Sequence, residues 1–170
     1  VGADPCAGDG AGILLQIPDA FFQAECKNIG ISLPKAGEYA VGMVFLPRNE
    51  ADRKTCESLL TQFITQEKAT ILGWRDVPVD NSTLGYSVKP VEPFIRQLFI
   101  GRSTDCADQD VFERKLFVIR KQVENAVRDL KLDGGHAFYM PSLSSRTIVY
   151  KGMLLANQVG TFFPELNDDR

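Results

Sequence analysis

The residues of this 170-residue chain whose types could do chemistry are few and scattered. The densest group is Gly8-Asp9-Gly10-Ala11-Gly12, where glycines permit φ > 0 and a close approach of backbone to a ligand. Such turns can cradle phosphate when they open a helix. Here the spacing is G-x-G-x-G, no strand precedes it, and Ile13-Leu14-Leu15-Gln16-Ile17 follows as an apolar, strand-like run, so a structural turn is the better reading. His136, the single histidine, sits just after helix-ending glycines with no orienting partner in view, which suits a cap or surface role. Ser142, Ser144 and Ser145 lack the G-x-S-x-G elbow of a nucleophilic serine and fit turn chemistry. Lys151-Gly152 is more suggestive: the glycine allows close backbone approach, and the lysine could meet an anionic partner or another domain, the plainer alternative being protection of a strand edge. Arg114, Lys115, Arg120, Lys121, Arg128 and Lys131 alternate with acids, as on a solvated helix face. Nothing assembles nucleophile, base and oxyanion donors, so no catalytic, substrate-binding, cofactor-binding or metal-ligating residue is assigned.

The elements that would position these residues follow from hydrophobic period. After the strand at 12–17, Asp19 is expected to cap a short helix with Phe21, Phe22 and Cys26 on its apolar face, ended by Gly30. From Ala40 the pattern becomes regular: a strand to Leu46, stopped by Pro47, then a helix capped by Asn49 with Cys56, Leu59, Leu60, Phe63 and Ile64 on one stripe. Strands at 70–77 and 94–100 flank a proline-containing connection. A second helix, started by a capping box of Asp110 and Glu113, buries Phe112, Leu116, Ile119, Val123, Ala126 and Leu130 and ends in a left-handed turn at Asp133-Gly134-Gly135. Ala137–Met153 then reads as a hairpin of two strands turning at Ser144-Ser145. Residues 40–143 thus spell β-α-β-β-α-β, the ferredoxin-like order of an antiparallel sheet under two helices, with Phe63, Trp74, Leu116 and Ile119 expected in its core. Strands 12–17 and 147–153 fall outside that unit and are expected to pair in a second, incomplete layer. The fold class is α+β, divided as 1–39, 40–143 and 144–170.

Composition excludes several functions. Nineteen basic and 22 acidic residues give a net charge of −3, unlike the basic excess of a nucleic-acid binder. No apolar run approaches the roughly 18–20 residues that span a bilayer. Cys6, Cys26, Cys56 and Cys106 form no C-x-x-C pair, which argues against zinc and for reduced thiols in the cytoplasm. Both ends read as cut: the chain opens at Val1 on a glycine-rich turn and closes on Asn167-Asp168-Asp169-Arg170.

Three ordered runs carry a family resemblance. Val1-Gly2-Ala3-Asp4-Pro5-Cys6-Ala7-Gly8-Asp9-Gly10-Ala11-Gly12-Ile13-Leu14-Leu15-Gln16-Ile17-Pro18, Gly73-Trp74-Arg75-Asp76-Val77-Pro78-Val79-Asp80, and Ser142-Leu143-Ser144-Ser145-Arg146-Thr147-Ile148-Val149-Tyr150-Lys151-Gly152-Met153-Leu154 closely resemble the glutamine amidotransferase domain of the glutamate synthase large subunit. The resemblance implies a class II, N-terminal-nucleophile αββα domain. It further implies a parent enzyme that hydrolyses glutamine and passes ammonia to an FMN site, where 2-oxoglutarate becomes glutamate, with iron–sulfur centres and the remaining domains of the large subunit as partners. In that family the nucleophilic cysteine and a His-Arg-Gly segment precede the position of Val1, and the glutamine-clamping arginine and Asn-Gly oxyanion hole follow that of Arg170. Cys6, in the Ala-Asp-Pro-x-x-Gly-Asp-Gly loop, does not match the nucleophile, so the isolated chain is expected to be inactive. The alternative is a free-standing ferredoxin-like module that binds a small ligand or partner.

Overall fold

Tyr39–Leu46 is apolar at almost every position, as a strand must be when both of its faces are covered. In the computed structural model, which describes residues 4–169, this strand is the centre of the protein; Val1, Gly2, Ala3 and Arg170 lie outside the described residues. The elements run β1 (Ala11–Gln16), α1 (Asp19–Asn28), β2 (Tyr39–Leu46), α2 (Glu50–Gln66), β3 (Thr70–Asp76), β4 (Phe94–Gly101), α3 (Gln109–Leu130), β5 (Tyr139–Ser144), β6 (Thr147–Gly152) and α4 (Val159–Phe162). Four strands form one antiparallel sheet in the order β3-β4-β2-β5, which is the ferredoxin-like order, and β1 and β6 form a separate two-stranded antiparallel sheet.

Alternation along β2 sorts its side chains between two cores. Ala40, Val44 and Leu46 face α2 and α3, where Cys56, Leu60, Ile64, Phe112, Leu116, Ile119 and Val123 close the first core. Tyr39, Val41 and Met43 face the other way, onto Ile148 and Tyr150 of β6, Phe22 of α1, and Phe162 and Phe163 near the end of the chain. The architecture is therefore α+β with a helical layer, a four-stranded sheet, and a second layer built on the β1–β6 sheet.

The structure corrects several local expectations. The 137–153 segment is not a hairpin: β5 pairs with β2 and β6 pairs with β1, so the turn between them is a corner that carries the chain from one sheet to the other. Asp19 is the first helical residue, not the cap; its carboxylate accepts from the Tyr39 hydroxyl at 2.9 Å. Asn49 does cap α2, accepting from the Asp52 amide at 3.0 Å. The cap of α3 lies two residues earlier than expected, with Asp108 in place of Asp110 accepting from the Val111 amide at 2.8 Å, while Glu113 turns to the serine corner. Its last turn buries Val127 and leaves Leu130 exposed, and the left-handed residue is Lys131 (φ 50°), not one of the glycines. Leu116 and Ile119 are fully buried. Phe63 and Trp74 only flank the core, and on edge strand β3 the Trp74 ring lies under the Arg96 guanidinium, 5.1 Å from its centroid.

Leu116 is wholly enclosed between α2 and the sheet, whereas its neighbour Phe117 is 61% exposed. Leu116→Ala is expected to lower the unfolding free energy by about 2–5 kcal/mol, and Phe117→Ala by less than about 1 kcal/mol, both measured by urea denaturation. A loss at Leu116 as small as that at Phe117 would remove it from the core.

Candidate functional site

The glycine-rich loop is held from both sides by polar side chains. The Asp4 carboxylate accepts from the Ser87 amide at 2.8 Å and its hydroxyl at 2.7 Å, and from the Cys6 amide at 3.1 Å. The Ser87 donors hold the Asp4 carboxyl below its ordinary pKa. Buried Gln158 donates to the carbonyls of Cys6 (3.2 Å) and Thr83 (2.6 Å) while accepting from the Leu155 amide at 2.7 Å. The glycines are needed for close contact: a Cβ on Gly8 would stand 2.0 Å from the Leu154 carbonyl, and one on Gly12 2.4 Å from the Tyr150 oxygen. At Gly8 and Gly12 the backbone of residues 150–155 takes the place that a side chain would need.

The three serines are consumed by the corner. Ser144 Oγ accepts from the Arg146 and Thr147 amides and donates to Glu113 Oε2 at 3.0 Å. Ser145 donates from both amide and hydroxyl to Glu113 Oε1, each at 2.6 Å. Ser142 Oγ accepts from the Val149 amide at 3.0 Å. Arg146 pairs with Asp110 across the same corner.

A charged node that the sequence reading missed lies between the layers. Arg75 Nη1 donates to Glu165 Oε2 at 2.6 Å and to Gln97 Oε1 at 2.8 Å, and Nη2 reaches Glu25 Oε2 at 3.2 Å. Gln97 Nε2 and the Tyr150 hydroxyl both donate to Glu165 Oε1, at 3.0 and 2.6 Å. The side chains of Arg75 and Glu165 are only 8% and 4% exposed. Burial acts to lower the Arg75 pKa, and the two carboxylates more than reverse it; burial, then the Glu165 charge, raise that of Tyr150. The sequence held one signal: Gln97 occupies the same phase of β4 as buried Ile95 and Phe99, and Arg75 is its cross-strand partner.

His136 and Lys151 come together on one cavity of about 210 Å³ between the layers. His136 Nδ1 lies 3.1 Å from the Asp133 carbonyl oxygen, and Lys151 Nζ lies 5.2 Å from the Tyr139 ring centroid. The cysteines are dispersed. Burial pushes the thiols of Cys26 and Cys56 up to about 11, Cys106 is buried beside Ser103, and Cys6 is exposed. Among the described residues no group of three or more His, Cys, Asp or Glu side chains could hold a metal ion, and no helix is long and apolar enough to cross a membrane. The polar clusters at Asp4, Gln158, Glu113 and Arg75 each fasten one segment of the chain to another.

A family model described as class-II glutamine amidotransferases matches residues 1–170. The chain is 51% identical over 168 residues to the glutamate synthase [NADPH] large chain of Bacillus subtilis, covering 99% of this chain and 11% of that protein. It is 39% identical over 171 residues to the Azospirillum brasilense glutamate synthase [NADPH] large chain (100% and 11%), and 38% identical over 168 residues to ferredoxin-dependent glutamate synthase 2, chloroplastic, of Arabidopsis thaliana (99% and 10%). The chain spans about a tenth of the length of these relatives.

The Arg75 node makes a stability prediction. Arg75→Met leaves two carboxylates facing each other without their cation and is expected to cost about 3–5 kcal/mol. Adding Glu165→Gln should recover part of that loss, so that the two changes are non-additive by at least about 0.5 kcal/mol in urea denaturation; additive losses would show that the pair is not coupled.

Proposed function

The chain belongs to the class-II glutamine amidotransferases, and from that membership we propose that it is part of the glutaminase domain of a cytoplasmic glutamate synthase large chain. The observation that carries this reading is the identity of 51% across 99% of the chain with a glutamate synthase large chain. The parent enzyme would hydrolyse glutamine and use the ammonia to convert 2-oxoglutarate to glutamate. In this reading the FMN and iron–sulfur groups lie in other parts of that enzyme; for the iron–sulfur groups this is supported by Cys26 packing in the interlayer core while Cys56 and Cys106 pack on the helical side, which does not fit a shared cluster. Four free cysteines support a reducing compartment. Residues 40–143 serve as the ferredoxin-like unit, and 1–39 and 144–170 supply the second layer. A free-standing module is the weaker reading, because the second face of its sheet is committed to packing under β1 and β6.

These residues then act as scaffold, and one edge marks where the rest of the domain joins. The Ile17 amide donates to the Arg146 carbonyl at 3.0 Å, so by ladder alternation the odd residues of β1 point their amides at β6. Gly12, Leu14 and Gln16 point theirs outward, where no strand pairs with them among the described residues. This edge has no charge, proline or bulge, and Leu14 is 64% exposed. Unguarded edges of this kind invite pairing. A strand from the remainder of the large chain covers it in this reading.

Amide hydrolysis needs a nucleophile, a base and donors for the oxyanion, and loss of one such donor alone costs about 10²–10³ in rate. The purified 170-residue chain is expected to release no ammonia from glutamine above buffer, with or without Cys6→Ala. Turnover that disappears in Cys6→Ala would overturn this placement of the nucleophile.

The edge has its own test. In hydrogen exchange the amides of Gly12, Leu14 and Gln16 should exchange as fast as loop amides in the 170-residue chain and be protected in the full-length large chain. Fast exchange in both would mean that no strand covers β1.

A further inference from the structure

The corner at Ser144–Arg146 joins the two sheets at one end, and from there β5 and β6 run to the far ends marked by Tyr139 and Gly152. The cavity of about 210 Å³ lies at that far end, with walls from both sheets and from the connection before β4. Phe45, Leu84, Val88, Ile95, Leu154 and Phe162 make its lining predominantly apolar. Cavities near 150 Å³ with such walls accept benzene, so this one has room for a single ring with a short side chain.

The charges around it are not balanced. Glu92, the one acidic residue in the lining, is already satisfied: Arg48 Nη2 donates to its Oε2 at 2.7 Å and Asn81 Nδ2 at 3.0 Å, and its side chain is 4% exposed. Lys151 has no carboxylate partner among the described residues; its ammonium rests over the Tyr139 ring at the rim. His136 stands on the same rim with Nδ1 engaged by the Asp133 carbonyl. An apolar chamber with one uncommitted cation at its mouth is complementary to an apolar body carrying one negative charge. We propose that this cavity binds a small apolar monocarboxylate, the size of one ring, with its carboxylate on Lys151 and its hydrocarbon body between the sheets. A neutral ligand of the same shape gains the burial but not the ion pair, and a dianion would bring a second charge to apolar walls at a desolvation cost. Binding would tie the two sheets and the 84–93 connection together. The proposal does not rest on the glutaminase reading, because it uses only the walls and the rim charge.

Phenylacetate, with phenylacetamide as the uncharged control, is the probe, titrated against the chain by calorimetry and by amide chemical shifts. Phenylacetate is expected to bind with a Kd of about 0.1–1 mM, with shifts confined to the residues around the cavity. Because Lys151 is open to solvent, the acid should exceed the amide by only about three- to tenfold. Lys151→Met should make the two ligands equal, and Val88→Phe, which fills the chamber, should abolish both while circular dichroism stays that of the parent. Absence of saturable phenylacetate binding below about 10 mM, equal affinity of acid and amide for the parent chain, or a preference that survives Lys151→Met would each overturn the proposal.

Discussion

The requirement that β2 be covered on both faces governs this protein. A strand with apolar residues in both phases cannot sit at a surface, so one phase recruits α2 and α3 and the other recruits the β1–β6 layer. Burying large apolar side chains such as Phe99 and Phe112 contributes about 1.5–3 kcal/mol each before entropy is counted, and these residues lie in different cores. The ion group at Arg75 is held by pairing: the guanidinium reaches two carboxylates, and a glutamine and a phenol bond to the same cluster. Its residues come from α1, β3, β4, β6 and the final turn, so it also sets how the second layer sits on the first.

The residues that invited a chemical reading are occupied with geometry. The glycines of the first loop let its backbone touch that of residues 150–155. Ser142 and Ser144 at the end of β5 stand in for missing strand partners, their hydroxyls accepting the amides of Arg146, Thr147 and Val149 where the chain leaves one sheet for the other. Glu113 then draws that corner onto α3. A hydroxyl is suited to this because it can accept from backbone and donate to a carboxylate at once.

Much of the framework was legible in the sequence because it repeats a period. The α2 stripe, the α3 stripe to Val123, and the β-α-β-β-α-β order all come from spacing alone, and the pairing of 12–17 with 147–153 follows from their exclusion from that unit. The misplacements have local causes. Asp108 and Asp110 are both competent caps, and which one acts depends on Glu113 being claimed by Ser144 and Ser145, a contact spanning more than 30 residues. The hairpin reading of 137–153 failed because two strands joined by a short turn can either pair or diverge, and sheet membership is decided by β1 and β2. The node at Arg75 was hidden because its members are far apart in sequence and each is an ordinary polar residue alone. Lys151 was singled out, but its meeting with His136 on one cavity is a product of the tertiary fold.

The register of the second layer has a kinetic meaning. Ala11 pairs with Gly152 and Gln16 with Thr147, so β1 takes its ladder partner from a strand more than 130 residues further along. Closing so long a loop brings no reward until β6 exists, and non-local pairings of this kind are slow to form. The helical core around Leu116, whose contacts lie wholly within residues 40–143, can condense first. Until β6 is made, both edges of β1 are therefore open, and an unpaired apolar strand of this kind makes a partly folded chain prone to pair elsewhere.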